Sequence, residues 1–446
     1  MGRRVATIIV VVGLLMMAGV GARADASSTD RGQTDLSSLP AIEAYLSSIG
    51  VDPGSVVVQQ GPLNYAGPYC PGDGWNCTAA TRVVQIASSA SPAANIFDCL
   101  PSLDAVIPAL NECLVVQSSV LDPLETSSSM NSASCNTDLS DSSGKSKCTI
   151  RQQAKKGNNN ANVNQRINQR GGSPQTATED AEINQTSDTG NNTAKITQTI
   201  QQTLDIDPTT PVNQKQQARQ TAKVTQNSGV GNNSSDVQQT MLQSESAQSS
   251  GNITQEQNTD TTLGRNQQVT VTQTSTAGGT NTSNLQGQIT QQQSADCSVC
   301  MVSQTESSTF GGQTGSVTQS ATSSAVNKSI ASQSENQSQH TSTTGAKIQL
   351  HFGPQDCCAT QMGGSAGNVN TITQANVQQN DTGGPSQTSE QNAHCTESGT
   401  LGASCSVDQT YTSNSGTNHH TDSGPFVFSD RACTDTGEGA SCTTVD

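Results

Sequence analysis

Along most of this chain the apolar positions come singly, and they come with period two. The recurring unit is a small residue, then Ile or Val, then Gln, each separated by one polar residue. It reads Ala161-x-Val163-x-Gln165, Ala181-x-Ile183-x-Gln185, Ala194-x-Ile196-x-Gln198, Ala222-x-Val224-x-Gln226 and Ser235-x-Val237-x-Gln239. Later copies stand at Gly251-x-Ile253-x-Gln255, Gly287-x-Ile289-x-Gln291, Gly315-x-Val317-x-Gln319 and Asn370-x-Ile372-x-Gln374. The step [Ile/Val]-x-Gln occurs 21 times, against roughly five expected from composition, so the spacing is a structural signal. Alternate side chains of a strand point to opposite faces. Between Asn192 and Gln198 one face carries Asn192, Ala194, Ile196 and Gln198, and the other carries Thr193, Lys195 and Thr197.

Turn formers separate the units, as in Asp188-Thr-Gly190-Asn191 and Ser228-Gly229-Val-Gly231-Asn232. Gln198 follows Gln185, and Gln239 follows Gln226, at a spacing of 13. Strands this short and polar bury a face only by stacking on neighbours, about 4.8 Å apart. The pattern therefore predicts an all-β fold, a β-solenoid of short stacked strands. Ile183, Ile196, Val224, Val237 and Ile372 are expected inside, and Lys195, Lys223 and Asp236 outside. Gln165, Gln185, Gln198, Gln226, Gln239, Gln291, Gln319 and Gln374 are expected to form side-chain amide ladders. The spacing of Ile42, Tyr45, Leu46 and Ile49 predicts one helix over residues 39–50, set to cap the first rung. Strands near residues 55–59 and 82–85 follow it.

Arg3 and Arg4, an apolar run from Val5 to Val20 and the Ala22-Arg23-Ala24 step predict a secretory signal peptide over residues 1–24. No second apolar run of about 20 residues occurs and the chain ends without a hydrophobic tail, so neither a membrane span nor a C-terminal anchor is expected in the mature chain. The remainder divides into an N-terminal part with early Cys-containing strands (25–135), Gln/Asn-rich repeats (136–380) and a Cys-rich tail (381–446). Aromatic residues make up 2% of the chain, too few for a large globular core. Charged residues make up 13%, low for a chain kept disordered by charge. A net charge of -16 disfavours a nucleic-acid partner.

Several of the 14 cysteines occupy the small-residue slot, as in Cys113-x-Val115-x-Gln117, Cys148-x-Ile150-x-Gln152, Cys300-x-Val302-x-Gln304 and Cys405-x-Val407-x-Gln409. Each follows another cysteine at short range. In an exported chain this layout predicts local disulfides Cys70–Cys77, Cys99–Cys113, Cys135–Cys148, Cys395–Cys405 and Cys433–Cys442, each stapling a loop just before its strand. Cys297-Ser-Val-Cys300 has redox or zinc spacing, but no second such pair accompanies it, and two structural cysteines are expected. Adjacent Cys357 and Cys358 are expected to pair with different partners or with another chain.

The pattern Asn-x-Ala-x3-Gln, preceded by a Gly-rich turn, resembles the curlin repeat of curli fibre subunits. Asn159-x-Ala161-x3-Gln165 and Asn192-x-Ala194-x3-Gln198 carry it in full. Asn233-x-Ser235-x3-Gln239 and Asn368-x-Asn370-x3-Gln374 carry it with another residue in the small slot. The resemblance spans about residues 150–380. It departs in lacking the family's leading Ser, in irregular spacing and in its cysteines. It implies β-stacking and a role in an extracellular matrix.

No catalytic, cofactor-binding or metal-binding set is expected. His419-His420 reads as an exposed pair, and no Gly-x-Ser-x-Gly, His-Glu-x-x-His or phosphate loop occurs. Lys145, Lys147, Arg151, Lys155, Lys156, Arg166 and Arg170 make an acid-free basic stretch, read as a solvated face or as charges guarding an exposed strand edge, with contact to an anionic surface polymer as the sharper reading. The expected function is that of a non-enzymatic, secreted structural protein of the cell surface or matrix, supporting fibre or biofilm formation or adhesion. Its expected partners are itself or a surface polymer. The alternative is a monomeric, disulfide-stapled solenoid that binds a glycan or other surface ligand.

Overall fold

The computed structural model describes residues 39–53, 56–61, 63–66, 80–88, 94–99, 110–120, 129–140 and, between short interruptions, 143–444. The leader at residues 1–24 and the loop holding Cys70 and Cys77 lie outside the described residues. Apart from the helix Leu39–Ser48, the described elements are strands. They stack in parallel register into two sheets that face each other across a thin core. The chain passes through the first sheet, turns, and returns through the second. One rung is Gln175–Thr189 followed by Asn192–Ile206, and the next is Val212–Val230 followed by Asn233–Gln248.

In the first sheet Ala181, Ile183 and Gln185 lie beside Ala222, Val224 and Gln226. In the second, Ala194, Ile196 and Gln198 lie beside Ser235, Val237 and Gln239. Units 13 positions apart are therefore the two halves of one rung. Stacked neighbours lie further along the chain, 33 positions for Gln152 and Gln185 and 48 for Gln243 and Gln291.

This layout explains the five-residue unit. The chain reverses between the sheets, so the order small, β-branched, Gln is inverted across the core. Ile183, Ile196, Val224 and Val237 meet in one fully buried cluster. Each Gln lies over the small slot of the opposite strand: Gln185 Nε2 donates to the carbonyl of Thr193, next to Ala194, and Gln198 Nε2 to that of Thr221, next to Ala222. A large residue in the small slot would displace the amide. Ile372 is buried as well, Lys195 and Lys223 are exposed, and Asp236 lies half-buried on the outward face. A second core column, with Ile167, Ile200, Met241 and Ile289 packed with Ala177 and Ala218, runs alongside.

The arc between the sheets is a column of glycines. Gly157, Gly190, Gly231 and Gly279 have φ of 132°, 146°, 143° and 106°. A Cβ on Gly190, Gly231 or Gly279 would fall far inside contact distance of the carbonyl oxygen of the glycine one rung earlier. Both the dihedral and the close approach exclude a side chain.

Three expectations are corrected. The helix does not sit across the end of the stack. Ile42, Tyr45 and Leu46 pack on Val84, Ile86, Leu114 and Val116, and Arg151 lies 4.3 Å over the Tyr45 ring. The helix thus covers outward positions of the first sheet, and Ile49 is 45% exposed rather than part of its buried face. The basic stretch guards no edge, because Ser143–Arg170 is paired on both sides in both sheets. At the C-terminal end the parallel stacking stops. Gly416–Gly424 pairs antiparallel with Ser404–Ser413, Phe426–Asp435 pairs antiparallel with Gln387–Ser398, and Ala440–Thr444 pairs antiparallel with Phe426–Asp435.

Candidate functional site: amide ladders and core cross-links

The inner faces hold continuous amide ladders. In the first sheet Gln85, Gln117, Gln152, Gln185, Gln226, Gln273, Gln319 and Gln361 follow one another rung by rung, each Nε2 donating to the Oε1 before it at 2.7–2.8 Å. Gln165, Gln198 and Gln239 form a second-sheet ladder in the same sense at 2.7 Å. It breaks where Gly287 takes the next position, and resumes as Gln333, Gln374 and Gln409 at 2.9 Å. Gln291 belongs to another ladder, Gln169, Gln202, Gln243, Gln291, Gln337 and Gln378, which the Tyr411 hydroxyl closes. The unit Gly287-x-Ile289-x-Gln291 is thus displaced by two inward slots along its strand, and Ser283-x-Leu285-x-Gly287 lies beside Ser235-x-Val237-x-Gln239.

Asparagines form a ladder of opposite polarity. Asn95, Asn131, Asn159, Asn192, Asn233, Asn281 and Asn327 each donate forward, from Nδ2 to the Oδ1 of the next rung, at 2.8–3.2 Å, and Asn368 accepts at the end. The second N–H crosses to a first-sheet carbonyl, as from Asn192 to Asn227.

Ladder polarity places the buried carboxyls. Because glutamines donate backwards, the first member of a ladder only accepts. Glu179 and Glu245 hold such positions and accept from Gln220 and Gln293 at 2.9 Å. Glu306 and Glu397 stand at the other end, after Gln257 and Gln361 in register, where the position has to donate. The Oε1 atoms of Gln257 and Gln361 are buried without a partner. Burial holds Glu179, Glu245, Glu306 and Glu397 above the ordinary carboxylate range. When protonated, Glu306 and Glu397 can donate where their ladders lack a donor. Their parity is the signal in the sequence, since Glu179 shares alternate positions with Ala181, Ile183 and Gln185.

The cysteines cross-link the core itself rather than pinning loops ahead of strands. Cys135 of the second sheet is bonded to Cys148 of the first, and Cys395 of the first to Cys405 of the second. All four are fully buried, with Cα–Cα distances of 6.2 Å. Face-packed sheets ordinarily stand about 10 Å apart, so where the small slot of one sheet (Cys148, Cys405) meets the Ile/Val slot of the other (Cys135, Cys395) these sheets are close enough for a disulfide. Cys433–Cys442 joins directly opposed residues of the antiparallel cap, and Cys297–Cys300 closes a corner between the sheets. Register sets Cys99 beside Cys135 and Cys113 beside Cys148, and the Cys99 side chain lies outside the described residues. Cys357 and Cys358 are both unpaired. Cys357 faces the core, where burial pushes its thiol up, out of reach of another chain.

No family model matches this chain, and neither a curated protein nor a solved structure matches it.

Proposed function

We propose that this protein is a secreted structural component of the cell surface or extracellular matrix, built on curlin-like β-repeats that support adhesion or fibre formation. The observation that carries this reading is the continuity of the ladders. One Gln column and one Asn column run through rung after rung, and the inner faces are given over to stacking. Such a body offers length, stiffness and resistance to dissociation. The test is incubation of the purified chain with a cross-β dye, followed by electron microscopy. Dye binding with fibres one stack wide is the expected result. Dispersed single particles at all concentrations would overturn it.

One observation favours a second reading. The antiparallel strands at the C-terminal end reverse the stacking direction, and a reversed edge does not continue a parallel solenoid. That suits a monomeric binding module presenting a flat outer face to a glycan or another surface ligand. The same micrographs separate the two readings.

A further inference from the structure

Near the C-terminal end, the outward face of the first sheet carries a patch of a different kind. Lys347–Gly363, Gln387–Ser398 and Phe426–Asp435 run side by side there. Register sets Asp356 beside Asn392 and Asn392 beside Asp430. In the next row it sets Cys358 beside His394 and His394 beside Phe428. A thiol, an imidazole and two carboxylates thus share neighbouring positions on three strands. His394 Nε2 lies 2.6 Å from Asp430 Oδ1, and the Cys358 thiol points to Asp356 Oδ1 at 3.9 Å. The side chains of His394 and Asp430 are 38% and 34% exposed, and Cys358 is half-buried, so solvent reaches the group.

We propose that Cys358, His394 and Asp430, with Asp356 as fourth donor, form a binding site for a zinc-type divalent cation. Sulfur, imidazole nitrogen and carboxylate oxygen are the donor set such an ion takes, and four of them suit its tetrahedral preference. His394 stands on the middle strand, one step of about 4.8 Å from each neighbour, and the two outer strands lie roughly 10 Å apart, so closing the donors round one ion takes side-chain rotation on all three strands and a drawing-in of the outer two. Binding releases the thiol proton to solvent and forms the metal–sulfur bond. The imidazole gives up the Nε2 proton that it shares with Asp430, which returns through solvent to Nδ1, and turns the freed Nε2 lone pair to the ion, while Asp430 passes from the ring to the metal. Among the described residues the grouping whose donor atoms already lie within 4.8 Å of one another is Cys395, Glu397 and Cys405, and both its sulfurs are joined in a disulfide; the donors round His394 come together only on binding. The site would clamp the reversed strand Phe426–Asp435 to the parallel stack.

The test uses the full chain, stripped with a chelator and titrated with zinc by calorimetry and with cobalt(II) by absorption. A single saturable equivalent, a thiolate-to-cobalt charge-transfer band and proton release are expected. Cys358→Ser and His394→Ala should each weaken binding by about tenfold or more. His419→Ala should leave it unchanged, although His419 forms a similar pair with Asp408 at 2.7 Å on the second sheet. Circular dichroism of each variant controls for folding, and Asp430→Asn, which keeps shape while removing charge, supplies a second probe. Absence of saturable binding, absence of the sulfur band, or equal binding by the well-folded Cys358→Ser and His394→Ala chains would overturn the proposal.

Discussion

Glu397 stands where the first-sheet ladder needs a donor, and Gln361 Oε1 waits beneath it. Its folded pKa is raised, with burial the largest cause, so the native state holds the proton more tightly than the unfolded chain. The stabilisation is fully present below the unfolded carboxyl value of about 4.3 and is lost as pH rises through the folded one. Glu179, Glu245 and Glu306 act in the same direction. The protein should therefore unfold at lower denaturant near neutrality than in mild acid. Glu397→Gln should raise stability at neutral pH and flatten the profile, because an amide donates without a titratable proton. Denaturant midpoints across the pH series check this, and an unchanged slope would remove Glu397 from the account. A second test compares three neighbours. Lys195→Ala, on the solvent face, should be near neutral. Gln198→Ala orphans Gln165 Oε1 and a Gln239 N–H and should cost about 1–2 kcal/mol. Ile196→Asp places a charge in the fully buried cluster and should be the worst. Thermal unfolding gives the ranking. The alternation of these three residues was legible from the chain alone. The carboxyl positions were not, because parity shows that Glu397 faces inward but not which way its ladder donates.

Among elements, the arc carries the strictest requirement. Gly190 has a positive φ, and a Cβ there would collide with the carbonyl of Gly157, as one on Gly231 would with that of Gly190. Gly190→Ala strains the dihedral and parts two rungs, and should cost about 2–3 kcal/mol. Its effect should exceed that of Gly171→Ala, at an open turn where nothing lies near; chemical unfolding of the two variants makes the comparison. Turn chemistry in the sequence marked these arcs, but the stacking of one glycine on the next follows only from register. The disulfides teach a similar lesson. Their partners are readable from short separations, whereas their place depends on the folding of each rung about its core. Replacing Cys395 and Cys405 together by Ser opens a link closing a separation of 10 and should cost about 2–3 kcal/mol, read from the melting of the oxidised chain.

At the scale of the whole molecule the two ends differ. At the N-terminal end, register sets Gln59 beside Gln85 and Asn64 beside Asn95, so ladder positions run to the last parallel strands described. At the other end Tyr411, Ser429 and Arg431 take over from amides: Ser429 donates to Gln409 Oε1 at 2.7 Å, and Arg431 donates to the Gln409 carbonyl and to Asn418. The stacked all-β body was legible in the period-two pattern. The reversal that ends it was not, since Gly416–Gly424 carries no apolar alternation and pairs through its backbone.

The unequal rungs have a bearing on descent. Successive members of the first-sheet ladder lie 33, 41, 47, 46 and 42 positions apart, yet no hydrogen bond of that column is missing. Selection on such a molecule acts on register at the inner face and leaves the length of each corner free. A gene of this kind can acquire insertions, lose them, or duplicate a rung by unequal recombination, provided the reading of inward positions resumes in phase. Its relatives would then share parity and spacing within strands while diverging in length and in nearly every outward residue.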